Sequence, residues 1–432
     1  MQTKKHILLI TYYWPPNGGA GVQRWLKMSK YLVEQGFRVS VYTPENPEFT
    51  AYDESLFEDI HPEIKVYKRS IWEPYSLYRK FVGGKSANST NYLNKGDKNG
   101  MLHRFSQWLR GSVFIPDPRV FWVKPSVNYL SKLIVKESFD VMISTGPPHS
   151  MHLIALALKR KFDLPWIADF RDPWTFIDFY DQLGLSKTAD LKNKRLEQEV
   201  LLKANKVVTV SKSWAKGFES LAGRSVDVVF NGYDHKDFEY DNNIKVDSEF
   251  TIGYFGSMNL DRNPEQLWAC LAKAAERPDF KSKLKIKFFG SINTEVFDSL
   301  KSYGLGDNVE HVNYVNHKQV VVEMRKVQLL LLVLNNTPNV SGIIPGKVYE
   351  YLAAKRPILC IGQENGDGAQ ILKELGTSAV FEHKEKELVA SFIENKYREF
   401  LDKSVLSVET KGVEKYTREN QAIKYGQLLM QL

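Results

Sequence analysis

The chain alternates short apolar, β-branched runs with longer segments of helical periodicity, and the alternation occurs twice. The first series begins with HILLIT, VQRWLKMSKYLVEQ and RVSVYT, and the second restarts with FTIGYFG and continues to PILCIG. Strands that alternate with helices in this way are typical of βαβ units, which build a parallel sheet with helices on both faces. The pattern therefore predicts an α/β protein of two facing Rossmann-like, doubly wound domains. We expect a ligand cleft where the carboxyl ends of the two sheets meet.

The length of the chain agrees with two domains, because 432 residues exceed what one hydrophobic core usually supports. The polar stretch YDNNIKVDSE separates the two series, so we predict an N-terminal domain over residues 1–235 and a C-terminal domain over residues 248–404. Residues 405–432 have helical periodicity with no strand after them, and we expect this helix to pack back on the N-terminal domain. Residues 83–100 are polar and aperiodic, which predicts a loop.

Cysteine content and hydropathy restrict the location of the protein. Cys270 and Cys360 lie in apolar segments and have neither the pattern of a disulfide framework nor the spacing of metal ligands. No apolar run approaches the ~20 residues that span a bilayer, and no secretory leader pattern is evident. We therefore expect a cytoplasmic protein. The sequence has no D-x-D pair at a predicted strand end that could hold a bridging Mg²⁺. We therefore expect no metal site.

The formal net charge of +8 is concentrated in the first third of the chain. Residues 1–136 hold 20 Lys and Arg against 11 Asp and Glu, whereas the remainder is nearly neutral. Within this part, residues 65–136 mix cations with aromatic side chains, which suits an anionic membrane surface at the inner face of the cell membrane. The alternative is a solvated basic face whose aromatics turn into the core. No nucleic-acid-binding signature is present, so we expect no nucleic acid partner.

The first predicted strand leads into the glycine-rich stretch YYWPPNGGAGVQR, residues 12–24. A dinucleotide-binding fingerprint requires G-x-G-x-x-G, but here Arg24 occupies the place of the third glycine after Gly19 and Gly21. The glycines still allow backbone amides to approach a ligand at the start of a helix. Two interpretations remain: a turn that binds a phosphate, and a tight strand-to-helix turn without a ligand.

A second candidate site is the charged turn that follows the predicted strand WIADF. Asp169 and Asp172 flank Arg171, and such carboxylates can position a substrate hydroxyl or stabilise a developing positive charge. Alternatively, Asp172 caps a turn while Arg171 neutralises Asp169. Nearby, His149 ends another predicted strand and can reach the cleft, although Ser150 as a helix N-cap explains that segment equally well.

The segment SGIIPGKVYEYLAAKRPIL, residues 341–359, places Gly346 and Lys347 at the start of a predicted helix. Lys347 and Glu350 share one helix face at i,i+3 spacing, and an intrahelical ion pair is the simplest interpretation. However, a lysine in the first turn opposes the helix dipole, and lysine before glutamate is the less favourable order, each by up to about 1 kcal/mol. A diphosphate at the helix amides and Lys347, with Glu350 accepting two ribose hydroxyls, satisfies both side chains.

Several segments in this order resemble the glycosyltransferases of the GT-B fold, and the chain is most similar to glycosyltransferase family 4 over nearly its whole length. The segments are YYWPPNGGAGVQRW, PWIADFRDPW, VSKSWAKGF, FNGYDHKDF, GYFGSMNLDRNPEQL and IPGKVYEYLAAKRPIL. The resemblance implies a retaining, metal-independent transfer from a nucleotide-diphosphate sugar to a glycan or polyprenyl-linked acceptor, as in bacterial cell-surface polysaccharide synthesis. It implies no cofactor other than the donor substrate, which the second domain mainly binds while the first binds the acceptor.

The resemblance also assigns expected roles to individual residues. Glu350 matches the family's ribose-binding glutamate, Arg262 matches its diphosphate-binding arginine, and Gly18 and Gly19 match the loop that faces the donor phosphates. The expected donor-binding residues are Gly18, Gly19, Gly21, Gly256, Arg262, Gly346, Lys347 and Glu350. The expected catalytic residues, chosen from their chemistry and their positions at strand ends rather than from the resemblance, are Asp172, Arg171, Asp169 and His149.

The sequence departs from the family pattern at three places. The histidine that is often found in the active site of the first domain is not evident at residues 168–172, where the carboxylates or Arg171 can substitute. Gly342 replaces the first of the family's paired glutamates, and Leu267 and Trp268 stand where a lysine is usual, so Lys347 could supply the missing cation. Three alternatives stay open: a sugar-nucleotide epimerase of the same fold, an NAD(P)-dependent oxidoreductase, and a catalytically silent homologue.

Overall fold

The computed structural model forms two compact units, one of residues 1–231 with 418–432 and one of residues 232–417. The predicted loop over residues 83–100 lies outside the described residues, as does much of the basic aromatic segment. Within the described parts, no helix is both long and apolar enough to cross a membrane. The described residues are 5–48, 52–73, 114–239, 244–313, 315–335, 337, 340–376 and 378–432.

Seven parallel strands form the sheet of the first unit, in the order β3-β2-β1-β4-β5-β6-β7. In the central strand, Ile7 is aligned with Val39 on one side and with Val141 on the other. Strands β1 and β5 are buried at every residue, which explains why they are continuous apolar runs rather than alternating ones. The strands are β1 (His6–Ile10), β2 (Arg38–Pro44), β3 (Lys65–Arg69), β4 (Val141–Gly146), β5 (Trp166–Phe170), β6 (Lys206–Thr209) and β7 (Asp227–Val228).

Helices connect successive strands of this sheet, as the periodicity predicts. One helix begins at Ser150, soon after β4, and another covers Lys187–Lys203, before β6. The described helices in residues 5–231 are α1 (Ala20–Glu34), α2 (Val120–Glu137), α3 (Ser150–Phe162), α4 (Lys187–Lys203) and α5 (Lys212–Ala222).

The second unit repeats this strand order with six parallel strands, arranged as β10-β9-β8-β11-β12-β13. Its strands are β8 (Phe250–Phe255), β9 (Leu284–Phe289), β10 (Val309–Val312), β11 (Leu329–Val333), β12 (Ile358–Ile361) and β13 (Ser378–Phe381). Its described helices are α6 (Glu265–Ala274), α7 (Pro278–Lys283), α8 (Thr294–Ser302), α9 (His317–Lys326), α10 (Lys347–Ala353), α11 (Asp367–Glu374) and α12 (Lys386–Lys403). In both sheets the order reverses beside the first strand, which is where doubly wound folds bind ligands.

The last helix, α13 (Arg418–Met430), belongs to the first unit and packs on α1. The rings of Trp25 and Tyr425 meet edge to face at 5.1 Å. The helix approaches the end of α1 so closely that a Cβ atom on Gly426 would lie 2.6 Å from Gln35 Oε1. Contact between these two helices therefore brings the end of the chain back to the unit in which it started.

The unit boundaries differ somewhat from those expected from the sequence. Residues 405–417 lie with the second unit and only α13 belongs to the first, whereas we expected the whole of residues 405–432 there. The reason is that Leu406 is buried in the core of the second unit, where its amide donates to Gln328 Oε1 at 2.8 Å. The boundary at which the chain passes from the first unit to the second falls after Asn231 rather than at residue 235.

A buried ion pair fixes α1 against the first sheet. Arg24 Nη2 lies 2.7 Å from Asp169 Oδ1, and the two side chains are 1% and 0% exposed. The same carboxylate accepts hydrogen bonds from Trp25 Nε1 at 2.8 Å and from Thr145 Oγ1 at 2.9 Å. Arg24 Nη1 also donates to the Val229 carbonyl at 2.9 Å. One carboxylate on β5 therefore holds α1 and β4 together.

Replacing Arg24 should destabilise the first unit strongly. Arg24→Met leaves the Asp169 carboxylate buried without its cation, and we expect the free energy of unfolding to fall by about 3–5 kcal/mol. Urea denaturation followed by tryptophan fluorescence measures the change. The matched control is Lys194→Met, which breaks an exposed pair with Asp190 and should cost less than about 1 kcal/mol. Equal losses of unfolding free energy in the two variants would show that burial of the Arg24–Asp169 pair does not add to its effect on stability.

Candidate active site

Three loops of the first unit meet at Arg171, at the carboxyl edge of the sheet. Arg171 Nη1 donates to the Gly21 carbonyl at 3.0 Å, and Nη2 donates to the Pro147 carbonyl. The Arg171 amide donates to the Gly146 carbonyl at 2.9 Å. The guanidinium therefore joins the segments that follow β1, β4 and β5, and these are the segments that contain the predicted residues of this unit.

Glycine is favoured in this turn for a conformational reason at Gly19 and for a steric reason at Gly21. Gly19 has φ +92°, a backbone conformation that L side chains rarely adopt. A Cβ atom on Gly21 would lie 3.1 Å from Arg171 Nη1 and 3.2 Å from the Tyr13 ring. Gly18 is buried and Gly19 is exposed. Helix α1 starts directly after this turn. Its N-cap residue is Gly19, so no side chain caps the first amides of the helix.

The expected role of Asp169 is corrected by its surroundings. The sequence suggested either a substrate contact or an ion pair with Arg171, but the carboxylate is fully buried and pairs with Arg24 instead. Both of its oxygens accept hydrogen bonds from protein groups. The physical reason is that Asp169 lies within β5 and contacts α1, whereas Arg171 lies beyond the strand end. Asp169 therefore positions the site and has no oxygen turned to a substrate.

Asp172 is the carboxylate that remains available in this turn. It is half-buried, and its side chain accepts no hydrogen bond from any residue that the structure describes. Burial raises the pKa of the Asp172 carboxyl above its usual range, although the adjacent Arg171 lowers it. An unengaged carboxylate at a strand end can accept a hydrogen bond from a ligand hydroxyl.

The turn itself is capped by Glu197, a residue that the sequence analysis missed. Glu197 Oε1 accepts hydrogen bonds from the Trp174 amide at 3.1 Å and the Thr175 amide at 3.4 Å. Its other oxygen accepts the Thr175 hydroxyl. The capping role considered for Asp172 therefore belongs to a glutamate on α4. No local pattern could reveal it, because the two partners lie more than 20 residues earlier in the chain.

His149 lies half-buried beside this turn. Its ring stacks on Trp174 at a centroid distance of 5.0 Å, with 3° between the planes. Burial, with nearby His152 and Arg171, holds the pKa of His149 well below its usual range, so the ring is neutral at physiological pH. Ser150 does not act as the N-cap of α3. It is the first helical residue, and its hydroxyl and amide both donate to another residue, the Asp117 carboxylate, at 2.9 Å.

In the second unit, Lys347 turns away from Glu350. Lys347 Nζ donates to the Phe255 carbonyl at 2.9 Å and lies 3.9 Å from the centroid of the Tyr254 ring. Burial lowers the pKa of the Lys347 ammonium, although the Tyr254 hydroxyl partly opposes this shift. The intrahelical ion pair, which was the simplest interpretation of the spacing, is not formed. The lysine instead lies at the carboxyl end of β8, next to Gly256.

Arg262 lies at the same edge of the sheet and hydrogen-bonds to neutral groups. Its Nε donates to Asn335 Oδ1, and its Nη1 lies 3.5 Å from the Ser257 carbonyl. Across the described ranges, neither Arg262 nor Lys347 forms an ion pair with a carboxylate. A pocket adjoins Arg262 beyond the ends of β11 and β12. Its lining includes Arg262, Asn335, Pro345, Gln363 and Gly366.

Two glycines near these cations leave backbone accessible. Gly256 has φ +108°, and a Cβ atom there would come within 3.6 Å of Lys347 Nζ. Gly346 is exposed directly before α10, and no heavy atom lies within 4 Å of where its Cβ would be. A ligand can therefore approach the main chain beside Lys347.

Glu350 lies near His317, which in turn contacts Asp237, and neither residue was identified from the sequence. His317 Nε2 lies 3.8 Å from Glu350 Oε1 and 3.1 Å from Asp237 Oδ2. The Glu350 side chain is 17% exposed, so ligand hydroxyls can reach it. Asp237 and His317 come from distant parts of the chain, and no sequence spacing links them to Glu350.

The departures from the family pattern have a clear structural outcome. Leu267 and Trp268 are fully buried in the core of the second unit, so nothing at these positions can contact an anion. Gly342 is also buried, in a short 3₁₀ turn. Lys347 and Arg262 are therefore the candidate residues that carry positive charge at this end of the sheet.

Comparison with known proteins places these features in a family. The glycosyl transferase 4-like domain matches residues 18–233, which is half of the chain. No curated protein sequence matched the chain. The fold is similar to sucrose-phosphate synthase from Thermosynechococcus elongatus, with 14% identity, a TM-score of 0.63 and 99% of both chains covered.

Two further solved structures share the fold. One is HepE of Anabaena in complex with UDP-glucose, with 13% identity and a TM-score of 0.61 over 99% of this chain and 100% of that chain. The other is TarM of S. aureus, with 12% identity and a TM-score of 0.61 over 99% of both chains. These similarities confirm the predicted two-domain GT-B fold. The chain belongs to the glycosyl transferase 4-like family and is a glycosyltransferase.

Proposed function

We propose that this glycosyltransferase takes its sugar from a nucleotide-diphosphate sugar that binds at the carboxyl edge of the second sheet. The observation that carries the proposal is the arrangement of Lys347 and Arg262, two cations without a carboxylate partner in the described parts, near the accessible carboxylate of Glu350. A diphosphate supplies the missing negative charge, and ribose hydroxyls supply donors for Glu350. HepE, which has the same fold, was solved with UDP-glucose.

The transfer proceeds with retention and without a metal ion in this proposal. The leaving phosphate oxygen accepts the proton of the acceptor hydroxyl on the same face of the sugar, so no protein base is required. The chain's task is to stabilise the charge that develops on the departing diphosphate. Lys347 and Arg262 supply positive charge, and the exposed main chain at Gly346 supplies a further donor.

The first unit binds the acceptor in this proposal. Asp172 supports this assignment because its carboxylate is accessible and unengaged within the described chain. It can orient the acceptor hydroxyl, while Arg171 holds the surrounding loops and neutral His149 exchanges hydrogen bonds with sugar hydroxyls. We propose a glycan or polyprenyl-linked acceptor of bacterial cell-surface polysaccharide synthesis.

Neutralising Asp172 should impair turnover rather than donor binding. Asp172→Asn keeps the shape of the side chain but removes its charge, and we expect kcat to fall roughly 10- to 100-fold, since a charged hydrogen bond contributes about 1.5–3 kcal/mol. The nucleotide Kd should stay near the parent value. Steady-state kinetics and calorimetric titration measure the two quantities. Asp181→Asn, at an exposed position of the same loop region, is the control. Parent-like turnover of Asp172→Asn would remove this residue from the site.

Two substitutions test the donor site. Glu350→Gln replaces one charge-assisted acceptor by a donor, so nucleotide binding should weaken by about 1.5–3 kcal/mol, and a deoxyribose analogue should lose little further affinity. Lys347→Ala should weaken nucleoside diphosphates far more than nucleosides, because only the former carry the charge that Lys347 contacts. Isothermal titration of both variants with a diphosphate and its nucleoside measures these effects.

The matched control for this experiment is Lys326→Ala, which removes a surface lysine that pairs with Glu323 on neighbouring helix α9. Its nucleotide affinity should equal that of the parent. Unchanged affinity in both donor-site variants would contradict the proposal. Product analysis then separates transfer from epimerisation, because only transfer leaves the sugar on a second molecule.

An exposed aromatic pair supports attachment to the inner face of the cell membrane. Trp72 is 54% exposed and Phe121 is 45% exposed, and their rings meet at 5.1 Å. The exposed cations Lys68, Arg69 and Lys124 lie within four residues of them in the chain. Aromatic side chains beside cations suit an anionic lipid surface, where a polyprenyl-linked acceptor is also found.

Vesicle binding tests this attachment. The protein should cosediment with anionic but not neutral vesicles, and salt should weaken binding, because each nearby Lys or Arg contributes about 1 kcal/mol at an anionic surface. Replacing Trp72 and Phe121 by serine should reduce binding. The control replaces Leu388 and Leu401, two similarly exposed leucines on α12, by serine. Equal binding to both vesicle types, or binding to neither, would contradict attachment.

A further inference from the structure

A second cavity of the second unit has a volume of about 420 Å³ and lies at the opposite edge of the sheet from Lys347 and Arg262. Arg325 precedes β11, and Lys355 and Arg356 precede β12, so these cations stand at the amino ends of the strands. Aromatic and apolar side chains form much of the remaining wall, and Glu239 is its acidic member. The apolar and aromatic members are Tyr233, Phe238, Ala353, Ala354, Val405 and Val413.

Main-chain carbonyls hold the Arg356 guanidinium at the wall of this cavity. Arg356 donates to the Arg325 carbonyl through Nε at 2.9 Å and through Nη2 at 2.7 Å, and to the Leu406 carbonyl through Nη1 at 2.6 Å. These bonds fix the guanidinium and leave N–H groups of its terminal nitrogens for a ligand. Burial lowers the pKa of Arg356, and the neighbouring Arg325 adds to this shift. Positive charge is therefore concentrated at the wall of the cavity.

Lys355 occupies a position that favours glycine. Its φ is +55°, and it follows the end of α10, where a left-handed residue usually closes a helix. A side chain in this conformation is strained relative to glycine. Its exposed ammonium forms no ion pair with any described carboxylate. The chain thus keeps a lysine at a strained position on the wall of a cavity that already contains two arginines.

We propose that this cavity is a second ligand site, separate from the donor site, and that it binds a phosphorylated small molecule. The phosphate contacts Lys355 and the two arginines, and the organic part lies against Tyr233 and Phe238. The volume is within the range of small-molecule sites, about 300–1,000 Å³. A phosphate group without an organic part would use only the basic side of the cavity.

The decisive variant is Lys355→Gly, because it removes the ammonium and relieves the positive φ at the same time. This variant should melt at the same or a higher temperature than the parent, so a loss of binding cannot come from unfolding. Ser138→Gly is the matched control, since Ser138 also has a positive φ, of +51°, at the end of a helix in the first unit. Lys347→Ala reports on the donor site.

The full chain and these variants are titrated with inorganic phosphate, a hexose 6-phosphate and a nucleoside diphosphate by calorimetry. Affinity for the hexose 6-phosphate should fall at least about 10-fold in Lys355→Gly, because a charged contact is lost, and should be unchanged in Lys347→Ala and Ser138→Gly. Affinity for the nucleoside diphosphate should fall in Lys347→Ala and should be unchanged in Lys355→Gly. Failure of the donor-site proposal can therefore be distinguished from failure of this one.

Three results would overturn the proposal: no binding of inorganic phosphate or the hexose 6-phosphate by the parent, equal affinity in the parent and Lys355→Gly, or loss of the hexose 6-phosphate in Lys347→Ala. Comparison of inorganic phosphate with the hexose 6-phosphate distinguishes a free phosphate ligand from a phosphorylated organic one. Tighter binding of the hexose 6-phosphate supports an organic ligand, and equal or tighter binding of inorganic phosphate would overturn that assignment.

Discussion

The buried ion pair of Arg24 and Asp169 determines where the groups of the first unit's candidate site lie. A charged pair in a fully buried position is tolerated only when its remaining donors and acceptors are satisfied, and here Trp25, Thr145 and main-chain carbonyls satisfy them. Because Arg24 lies in the second turn of α1, the pair fixes both the rotation and the height of this helix. The glycine turn before α1 is consequently held against Arg171, next to the loop that contains Asp172.

The fold could be predicted from the sequence because its signals are local and repeated. Strands buried on both faces become continuous apolar runs, and the segments between them keep helical periodicity, so each βαβ unit is visible without knowledge of its neighbours. The positions of the candidate residues followed from the same pattern. A residue directly after a predicted parallel strand lies at the carboxyl edge of its sheet, as Gly256 and Arg171 do, whatever the remaining tertiary structure is.

The partners of these residues could not be predicted, because they depend on contacts between distant segments. Asp169 is two residues from Arg171 in the sequence, yet its cation is Arg24, 145 residues away. Glu197 caps the turn after β5 from the following helix, and His317 approaches Glu350 from the start of α9. Lys347 and Glu350 share a helix face, but burial draws the lysine to Tyr254 and leaves the glutamate facing His317.

The two units place their candidate residues at equivalent points but with different charge. Both sheets reverse their strand order beside the first strand, and chains that leave neighbouring strands in opposite directions open a crevice there. In the first unit Arg24 and Asp169 neutralise each other, and the Asp172 carboxylate lies next to Arg171. In the second unit Lys347 and Arg262 have neutral partners in the part of the chain that is described. A carboxylate suits the hydroxyl of an acceptor and cations with neutral partners suit a diphosphate, so these charges agree with our proposal that the first unit binds the acceptor and the second binds the donor.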